Sequence, residues 1–139
     1  MDGLIMSFSQ ATAITTNEAP APVGPYNQAV LADGWLYCSG QIALNPVNGL
    51  LSNDEGIESE TKQVLKNIEA ILRASGFKPS QVIRTTIYLV DLRDFEKVNR
   101  IYSEFFNGGI SPARACVQVS ALPKGATVEI DCIAWGSRS

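Results

Sequence analysis

Two charged side chains near the C-terminus interrupt segments that otherwise have the composition of buried β-strands. Arg114 lies within residues 113–119, and Glu129 lies within residues 128–135. Burial of an unpaired charge costs several kcal/mol, so such residues usually have an ionic partner or a bound ligand. The planar guanidinium of an arginine can donate two parallel hydrogen bonds to a carboxylate, and a glutamate can orient or deprotonate a water molecule. We therefore predict that Arg114 and Glu129 carry any chemistry that this chain performs.

The absence of histidine from the 139-residue sequence removes several kinds of catalytic site. A Ser-His-Asp triad, a Cys-His dyad and a histidine-based zinc site are excluded. The three cysteines, Cys38, Cys116 and Cys132, show no CxxC spacing, and each lies in an apolar strand-like segment. Such cysteines are by default small buried hydrophobic side chains, and this pattern suits a reducing cytoplasm.

The composition favours a soluble cytoplasmic protein. Apolar residues make up 45% of the chain and charged residues 18%, and the net charge is −3 with the basic residues scattered. A nucleic-acid or membrane-surface footprint would need a basic cluster. Residues 1–10 have neither the basic segment of a secretory signal nor the arginines of a transit peptide. No apolar run approaches the roughly 20 residues that span a bilayer.

The positions of turn residues predict how the chain is divided. Residues 1–8 are expected to form a flexible lead-in, and residues 9–139 a single domain. Asp33-Gly34 is a strong hairpin-turn signal between two strand-like segments. Six strands are predicted, at residues 9–15, 28–32, 35–39, 82–90, 113–120 and 127–135.

Two helices are predicted from apolar side chains at helical spacing. The first has an apolar stripe of Thr61, Val64, Leu65, Ile68, Ile71, Leu72 and Ser75, a polar face of Glu60, Lys62, Lys66, Glu69 and Arg73, and a terminating Gly76. The second has a stripe of Phe95, Val98, Ile101, Tyr102 and Phe105 and ends at Gly108-Gly109.

An α+β fold follows from the element order, which is β, β, β, α, β, α, β, β. Strands that alternate with two helices imply right-handed crossovers, which place both helices on the same face of one sheet. The segment 82–90 is nevertheless apolar on both of its alternating faces. A sheet of this kind needs a partner surface on its helix-free side. We therefore expect a homo-oligomer that buries that side.

Strand alternation divides the side chains near the two charges between the faces of the sheet. The set Ala113, Ala115, Val117 and Val119 is small or branched and suits packing under helices, so we expect the alternate set with Arg114 and Cys116 on the helix-free face. Glu129 and Asp131 share a face of the last strand. Both charges are thus predicted to point toward an oligomer interface. Spacing alone leaves open an interface salt bridge without any ligand.

Five short motifs occur in order along the chain. They are Gly24-Pro25-Tyr26-Asn27-Gln28-Ala29, Ser39-Gly40-Gln41-Ile42, Asp94-Phe95 with Val98-Asn99 and Tyr102, Pro112-Ala113-Arg114-Ala115-Cys116-Val117, and Leu122-Pro123-Lys124-Gly125 leading to Val128-Glu129-Ile130-Asp131. In these motifs the chain resembles the Rid (YjgF) family of reactive-intermediate deaminases, over roughly residues 10–136. The one visible departure is the segment 107–111, which is shorter than in many relatives and bears on the size of substrate accepted.

The resemblance implies a chorismate-mutase-like fold, a homotrimer with clefts between subunits, and a central position for the last strand. It also implies hydrolysis of 2-imino acids such as 2-iminobutanoate and 2-iminopropanoate, which pyridoxal-phosphate enzymes release, to 2-oxo acids and ammonia. By position, Arg114 is expected to bind the substrate carboxylate and Glu129 to orient and help deprotonate the water. The resemblance places the other cleft residues at Tyr26, Ser39, Gly40, Cys116 and Asn99.

Simple chemistry agrees with a site that uses no metal or cofactor, because an imine carbon is already electrophilic and mainly needs to be held beside a water. Two alternatives stay open. One is a regulatory trimer that binds small carboxylates without turnover. The other is the ribonuclease or translation-inhibitor role attached to some members of the family, which the acidic net charge of −3 and the lack of histidine disfavour.

Overall fold

A mixed six-stranded sheet positions the candidate residues. The computed structural model describes residues 10–139. The strands are β1 (Thr12–Ile14), β2 (Ala29–Ala32), β3 (Trp35–Gln41), β4 (Val82–Leu89), β5 (Ala113–Gln118) and β6 (Val128–Trp135). They lie in the order β1-β2-β3-β6-β4-β5, and all six predicted strands are confirmed within a few residues of their ends.

The last strand lies inside the sheet and does not form a hairpin with the strand before it. β6 pairs antiparallel with both β3 and β4, whereas β5 is an edge strand that runs parallel to β4. A parallel neighbour requires a crossover connection, and the second helix supplies it between β4 and β5. The central position implied by the resemblance is confirmed.

Two helices cover one face of this sheet. They are α1 (Ile57–Ala74) and α2 (Phe95–Phe105), and the apolar core lies between them and the sheet. Val64, Ile68 and Leu72 of α1 are fully buried there, beside Leu36 of β3 and Ile130 of β6. The predicted fold class, α+β with two helices on one face of one sheet, is confirmed.

One residue assigned to the polar face of α1 is in fact buried. Only 2% of the Glu60 side chain is exposed. Glu60 precedes Val64 by four residues and Asn67 by seven, and this spacing keeps it on the buried side of the helix. The expectation of a solvent-facing Glu60 is therefore wrong, because the buried stripe is wider than the apolar residues alone suggest.

The helix-free face carries large apolar side chains in the single protomer. The exposed fractions of Trp35, Tyr37 and Trp135 are 39%, 51% and 53%, and the two tryptophan rings lie 6.1 Å apart between their centroids. Their positions alternate with the buried Leu36 and Ala134. An exposed apolar patch of this kind is characteristic of an interaction surface.

Two further predictions concern the N-terminal residues and the lack of a membrane-spanning segment. The lead-in expected at residues 1–8 lies outside the described residues. Within residues 10–139, neither helix has the length and apolar character needed to cross a bilayer.

Candidate active site

A cavity of about 370 Å³ lies beside Glu129. Its floor is formed where β3 and β6 meet, and one wall is the proline-rich segment that follows β1. The lining residues are Pro20, Ala21, Pro22, Val23, Tyr26, Gln28, Ser39, Gly40, Gln41, Ile42, Leu44, Pro123 and Glu129. Four of the predicted site residues, Tyr26, Ser39, Gly40 and Glu129, are thus brought together. The cavity is mostly apolar with one carboxylate in it, a composition usual for small-molecule sites.

A β-bulge brings Gly40 against the Glu129 side chain. The register between β3 and β6 passes from Cys38 opposite Cys132 to Gln41 opposite Ile130, so β3 has one residue more than β6 over this stretch. Bulges of this kind often redirect side chains at sites. A Cβ atom on Gly40 would lie 2.9 Å from Cδ and 3.2 Å from Cγ of Glu129. Any side chain at position 40 would therefore occupy the space that the Glu129 carboxylate fills.

The variant Gly40→Ala should fold but hold Glu129 in the wrong place. The added methyl group overlaps the carboxyl end of a flexible side chain, so Glu129 can rotate away while the strands stay paired. Because a displacement of about 1 Å at a reacting group costs up to about 10²-fold in rate, we expect turnover to fall roughly 10–100-fold. Thermal denaturation and steady-state kinetics of the same preparation check this. A variant that keeps wild-type turnover would show that the close approach is unimportant.

Hydrogen bonds hold the wall that carries Tyr26. The Ser39 hydroxyl donates to the Asn27 carbonyl at 2.6 Å, and the Ser39 amide donates to the Gln28 carbonyl at 3.0 Å. The buried Gln28 side chain accepts from the Thr16 amide at 2.7 Å and donates to the carbonyls of Thr16, Ala19 and Pro20. Sequence reasoning assigned no such role to Gln28. It fixes the wall because its amide bonds four backbone groups of one loop.

Burial and a neighbouring charge both act on Glu129. Desolvation raises the pKa of the Glu129 carboxyl, and the negative charge of Asp131 on the same face raises it further. The Tyr88 hydroxyl donates a hydrogen bond of 3.1 Å to Asp131, and Tyr88 is the β4 residue opposite Glu129. A raised pKa makes Glu129 a better proton acceptor at neutral pH than an ordinary carboxylate.

The variant Asp131→Asn should move the acidic limb of the pH–rate profile. A carboxylate that accepts a proton works only when deprotonated, so the role expected of Glu129 predicts that activity falls as the pH drops through its pKa. Removal of the Asp131 charge lowers that pKa, and the limb should shift to lower pH with little loss at the plateau. The kcat/KM profile from pH 4 to 8 measures this shift. Tyr88→Phe is the control, because it removes the hydrogen bond to Asp131 but keeps the Asp131 charge. A shift to higher pH would contradict the assignment.

Arg114 lies among side chains of α2. Its guanidinium donates to Oδ1 of Asn99 at 2.6 Å and lies over the rings of Phe95 and Tyr102, at 5.5 and 4.9 Å from their centroids. The Tyr102 hydroxyl is bonded in turn to Thr85 of β4 at 2.7 Å. The cation–π contacts and the Asn99 bond fix the plane of the guanidinium. Among residues 10–139 only Asn99 accepts a hydrogen bond from this guanidinium, which leaves most of its N–H donors for a ligand.

Cys116 lies two residues after Arg114, on the same side of β5 and half-buried. Burial raises the pKa of its thiol, and the Arg114 charge opposes that rise. A thiol with a raised pKa is a poor nucleophile. Cys116 therefore fits a cleft wall better than a covalent catalyst.

The expectation that Arg114 points to the helix-free face is wrong. Arg114 is the register partner of Thr85, and Thr85 faces α2. Glu129 faces the opposite side of the sheet, so one protomer does not bring the two charges together. Alternation separates two sets of side chains but does not say which set lies under a helix. Here the aromatic rings of α2 accommodate a cation at the sheet edge, and the alanines face outward.

The structure thus places the predicted site residues of this chain in two separate groups. The group named here the acid half-site, after its acidic residue, contains Glu129, Gly40, Ser39 and Tyr26. The group named the base half-site, after its basic residue, contains Arg114, Asn99 and Cys116. Among residues 10–139, no group of three histidine, cysteine, aspartate or glutamate side chains is placed to hold a metal ion.

Comparison with known proteins identifies the family of this chain. Residues 16–135 match the family described as Endoribonuclease L-PSP. The chain is 49% identical over 129 residues to the 2-iminobutanoate/2-iminopropanoate deaminase of Rattus norvegicus, covering 93% of each chain.

Two solved structures have the same fold. A Rid family protein from Yersinia pestis superposes with a TM-score of 0.88 at 46% identity, covering 91% of this chain and 100% of that one. Escherichia coli TdcF with bound serine superposes with a TM-score of 0.85 at 36% identity, covering 91% and 99%. The chain belongs to the Endoribonuclease L-PSP family, which is the Rid (YjgF) family that its motifs indicate.

Proposed function

We propose that this protein hydrolyses 2-imino acids, such as 2-iminobutanoate and 2-iminopropanoate, to 2-oxo acids and ammonia. Close relatives carry the name of this activity, and a related structure binds serine, a small molecule with an amino and a carboxylate group. The observation that carries the proposal is the presence of two complementary groups in this chain. The acid half-site has one carboxylate in an apolar cavity. The base half-site has a guanidinium that Asn99 holds in place, with further N–H donors available to a ligand.

The two half-sites complete each other when they come from different protomers. Glu129 opens onto the helix-free face, which carries the exposed Trp35, Tyr37 and Trp135. Arg114 lies on the edge strand β5, from which a side chain can reach a neighbouring subunit. A homotrimer of chorismate-mutase-like subunits would bury the apolar face and bring Arg114 of one protomer to Glu129 of the next.

The reaction needs only these groups and one water. Arg114 binds the substrate carboxylate with two parallel hydrogen bonds, so the imine carbon faces the acid half-site. Glu129 accepts a proton from the water as its oxygen bonds to that carbon, and the C=N π electrons move to nitrogen. The resulting carbinolamine loses ammonia after the proton is returned to its nitrogen. The remaining hydroxyl gives its own proton to the Glu129 carboxylate as it becomes the carbonyl of the 2-oxo acid, and Glu129 then passes that proton to ammonia or solvent.

Electrostatics favour the charged form of the substrate. A protonated imine is a cation at its reacting end and an anion at its carboxylate. The Glu129 carboxylate stabilises the first charge and the Arg114 guanidinium the second. Tyr26, Ser39, Gly40, Asn99 and Cys116 shape the cleft around the two ends, and no step requires a metal or cofactor.

A coupled assay tests the function directly. Threonine dehydratase, a pyridoxal-phosphate enzyme, generates 2-iminobutanoate, and semicarbazide traps the imine that persists. The pure protein should lower semicarbazone formation and hasten release of the 2-oxo acid in proportion to its concentration. An imine decay equal to that in buffer would refute the proposal. Such a result, combined with tight binding of a 2-oxo acid, would instead favour the regulatory trimer that binds small carboxylates.

RNA cleavage is the second candidate activity, because the family description names an endoribonuclease. The net charge of −3 disfavours binding to the phosphate backbone of RNA. We propose a cytoplasmic enzyme that consumes the products of pyridoxal-phosphate enzymes. Cleavage of a labelled single-stranded RNA by the pure protein, lost in Glu129→Gln, would overturn that choice.

A further inference from the structure

The buried carboxylate of Glu60 has no role in the reaction derived above. Glu60 lies in the first turn of α1, is 2% exposed, and forms no ion pair with a basic side chain among residues 10–139. Burial of a carboxylate is unfavourable unless hydrogen bonds replace its water. Its bonding partners therefore indicate why this position holds a glutamate.

Both oxygens of Glu60 bind the same residue. Oε2 accepts from the Thr127 amide at 2.8 Å, and Oε1 accepts from the Thr127 hydroxyl at 2.5 Å. The Thr127 carbonyl in turn accepts from the Val90 amide at 3.2 Å. All the polar groups of Thr127 are thus bonded, to α1 on one side and to the end of β4 on the other.

Thr127 marks the point where the chain enters β6. Val128 begins the strand, and Glu129 is its second residue. The turn just before Thr127 holds Lys124 at φ 58° and Gly125 at φ 76°, and its Pro123 lines the cavity. A non-glycine residue with positive φ persists only where its surroundings enforce it. The bidentate contact to Glu60 anchors this turn to a helix that is rigidly packed.

We propose that Glu60 is a positioning residue for Glu129 and acts through Thr127. The carboxylate of Glu60 fixes the position of Thr127, and therefore of the first residues of β6. It thereby determines where the Glu129 side chain enters the cavity beside Gly40. This inference rests on the proposed function for its kinetic part. Its structural part, the placement of the Glu129 carboxyl, does not depend on turnover.

Three variants isolate the contact. Glu60→Leu keeps the volume and removes both acceptors. Glu60→Gln can keep both bonds, because its amide oxygen accepts from the Thr127 N–H and its NH2 group donates to the hydroxyl. Thr127→Val removes only the hydroxyl contact. Thr61→Val is the matched control, since the buried Thr61 neighbours Glu60 but donates within α1, to the Ile57 carbonyl at 2.7 Å.

The kinetic result expected is a loss in kcat without a loss in substrate binding. Misplacement of Glu129 in Glu60→Leu should lower kcat about tenfold, whereas KM should change less than about twofold because Arg114 belongs to the other half-site. Thr127→Val should show a smaller loss, and the double variant no more than Glu60→Leu alone. Glu60→Gln and Thr61→Val should stay near wild type. A uniform loss in all variants, or unchanged kcat in Glu60→Leu and Thr127→Val, would overturn the proposal.

A measurement without substrate separates this proposal from the deaminase assignment. The Glu129 carboxyl can be titrated by carbon-13 NMR in each variant. Its pKa should fall toward the ordinary glutamate value in Glu60→Leu, because the side chain leaves its desolvated place, and should stay raised in Thr61→Val. An inactive wild type with this NMR pattern would refute only the proposed function. An unmoved Glu129 pKa in Glu60→Leu would refute the positioning role.

Discussion

Glu129→Gln should abolish most of the deaminase activity while the protein stays folded. General-base assistance contributes typically 10²–10⁴-fold, and the amide can neither accept the proton from water nor stabilise the iminium cation. We expect kcat to fall by about 10³-fold, with KM changed little because the carboxylate of the substrate binds Arg114. Single-turnover kinetics with enzymatically generated imine measures the step directly. A kcat within about tenfold of wild type would exclude Glu129 as the base.

The same substitution should make the protein more stable at neutral pH. The pKa of Glu129 is raised by burial and by Asp131. Its folded-state pKa therefore lies above the unfolded value, so wild-type stability is highest below the unfolded pKa and declines as the pH rises through the folded pKa. The glutamine variant lacks this decline. Its gain in Tm should appear at pH 7 and vanish at about pH 4 or below.

Arg114→Ala should lower kcat/KM by removing the anchor of the substrate carboxylate. Two hydrogen bonds from a charged donor contribute roughly 1.5–3 kcal/mol each, which predicts a fall of about 10³-fold. Arg114→Lys keeps the charge but loses the planar fork and the stacking on Phe95 and Tyr102, so a substantial part of the loss should remain. The kinetics of both variants toward 2-iminobutanoate measure this. Activity of Arg114→Ala equal to wild type would refute the assignment.

Mixing the two inactive variants tests where the half-sites meet. Arg114→Ala and Glu129→Gln protomers each carry one intact half-site. If the cleft lies between protomers of a ring, random co-assembly at equal amounts gives about a quarter of the clefts both native residues. Co-refolded protein should therefore recover about a quarter of the wild-type activity. Complete inactivity of verified mixed oligomers would require both groups to act from the same chain.

Local patterns in the sequence determined the elements and indicated the candidate site residues. The apolar stripe from Thr61 to Ser75 predicted α1 because helix periodicity depends on side chains a few residues apart. The Asp33-Gly34 turn predicted the β2–β3 hairpin for the same local reason, since both residues adopt positive φ there. The motifs around Tyr26, Ser39-Gly40, Arg114 and Glu129 indicated the family.

Only the tertiary structure decided how those residues are placed against one another. Strand alternation could not say that Arg114 lies under α2, because that depends on which strand is its neighbour and on what covers the sheet edge. The contacts of Glu60, Gln28 and Asn67 were also hidden, since their partners are mostly backbone groups that lie at least 8 residues away in the chain. Asn67, for example, donates to the carbonyls of Ile42 and Leu44 in the cavity wall. Backbone carbonyls and amides are the same at every residue, so no pattern of side chains reveals which of them a buried polar group will meet.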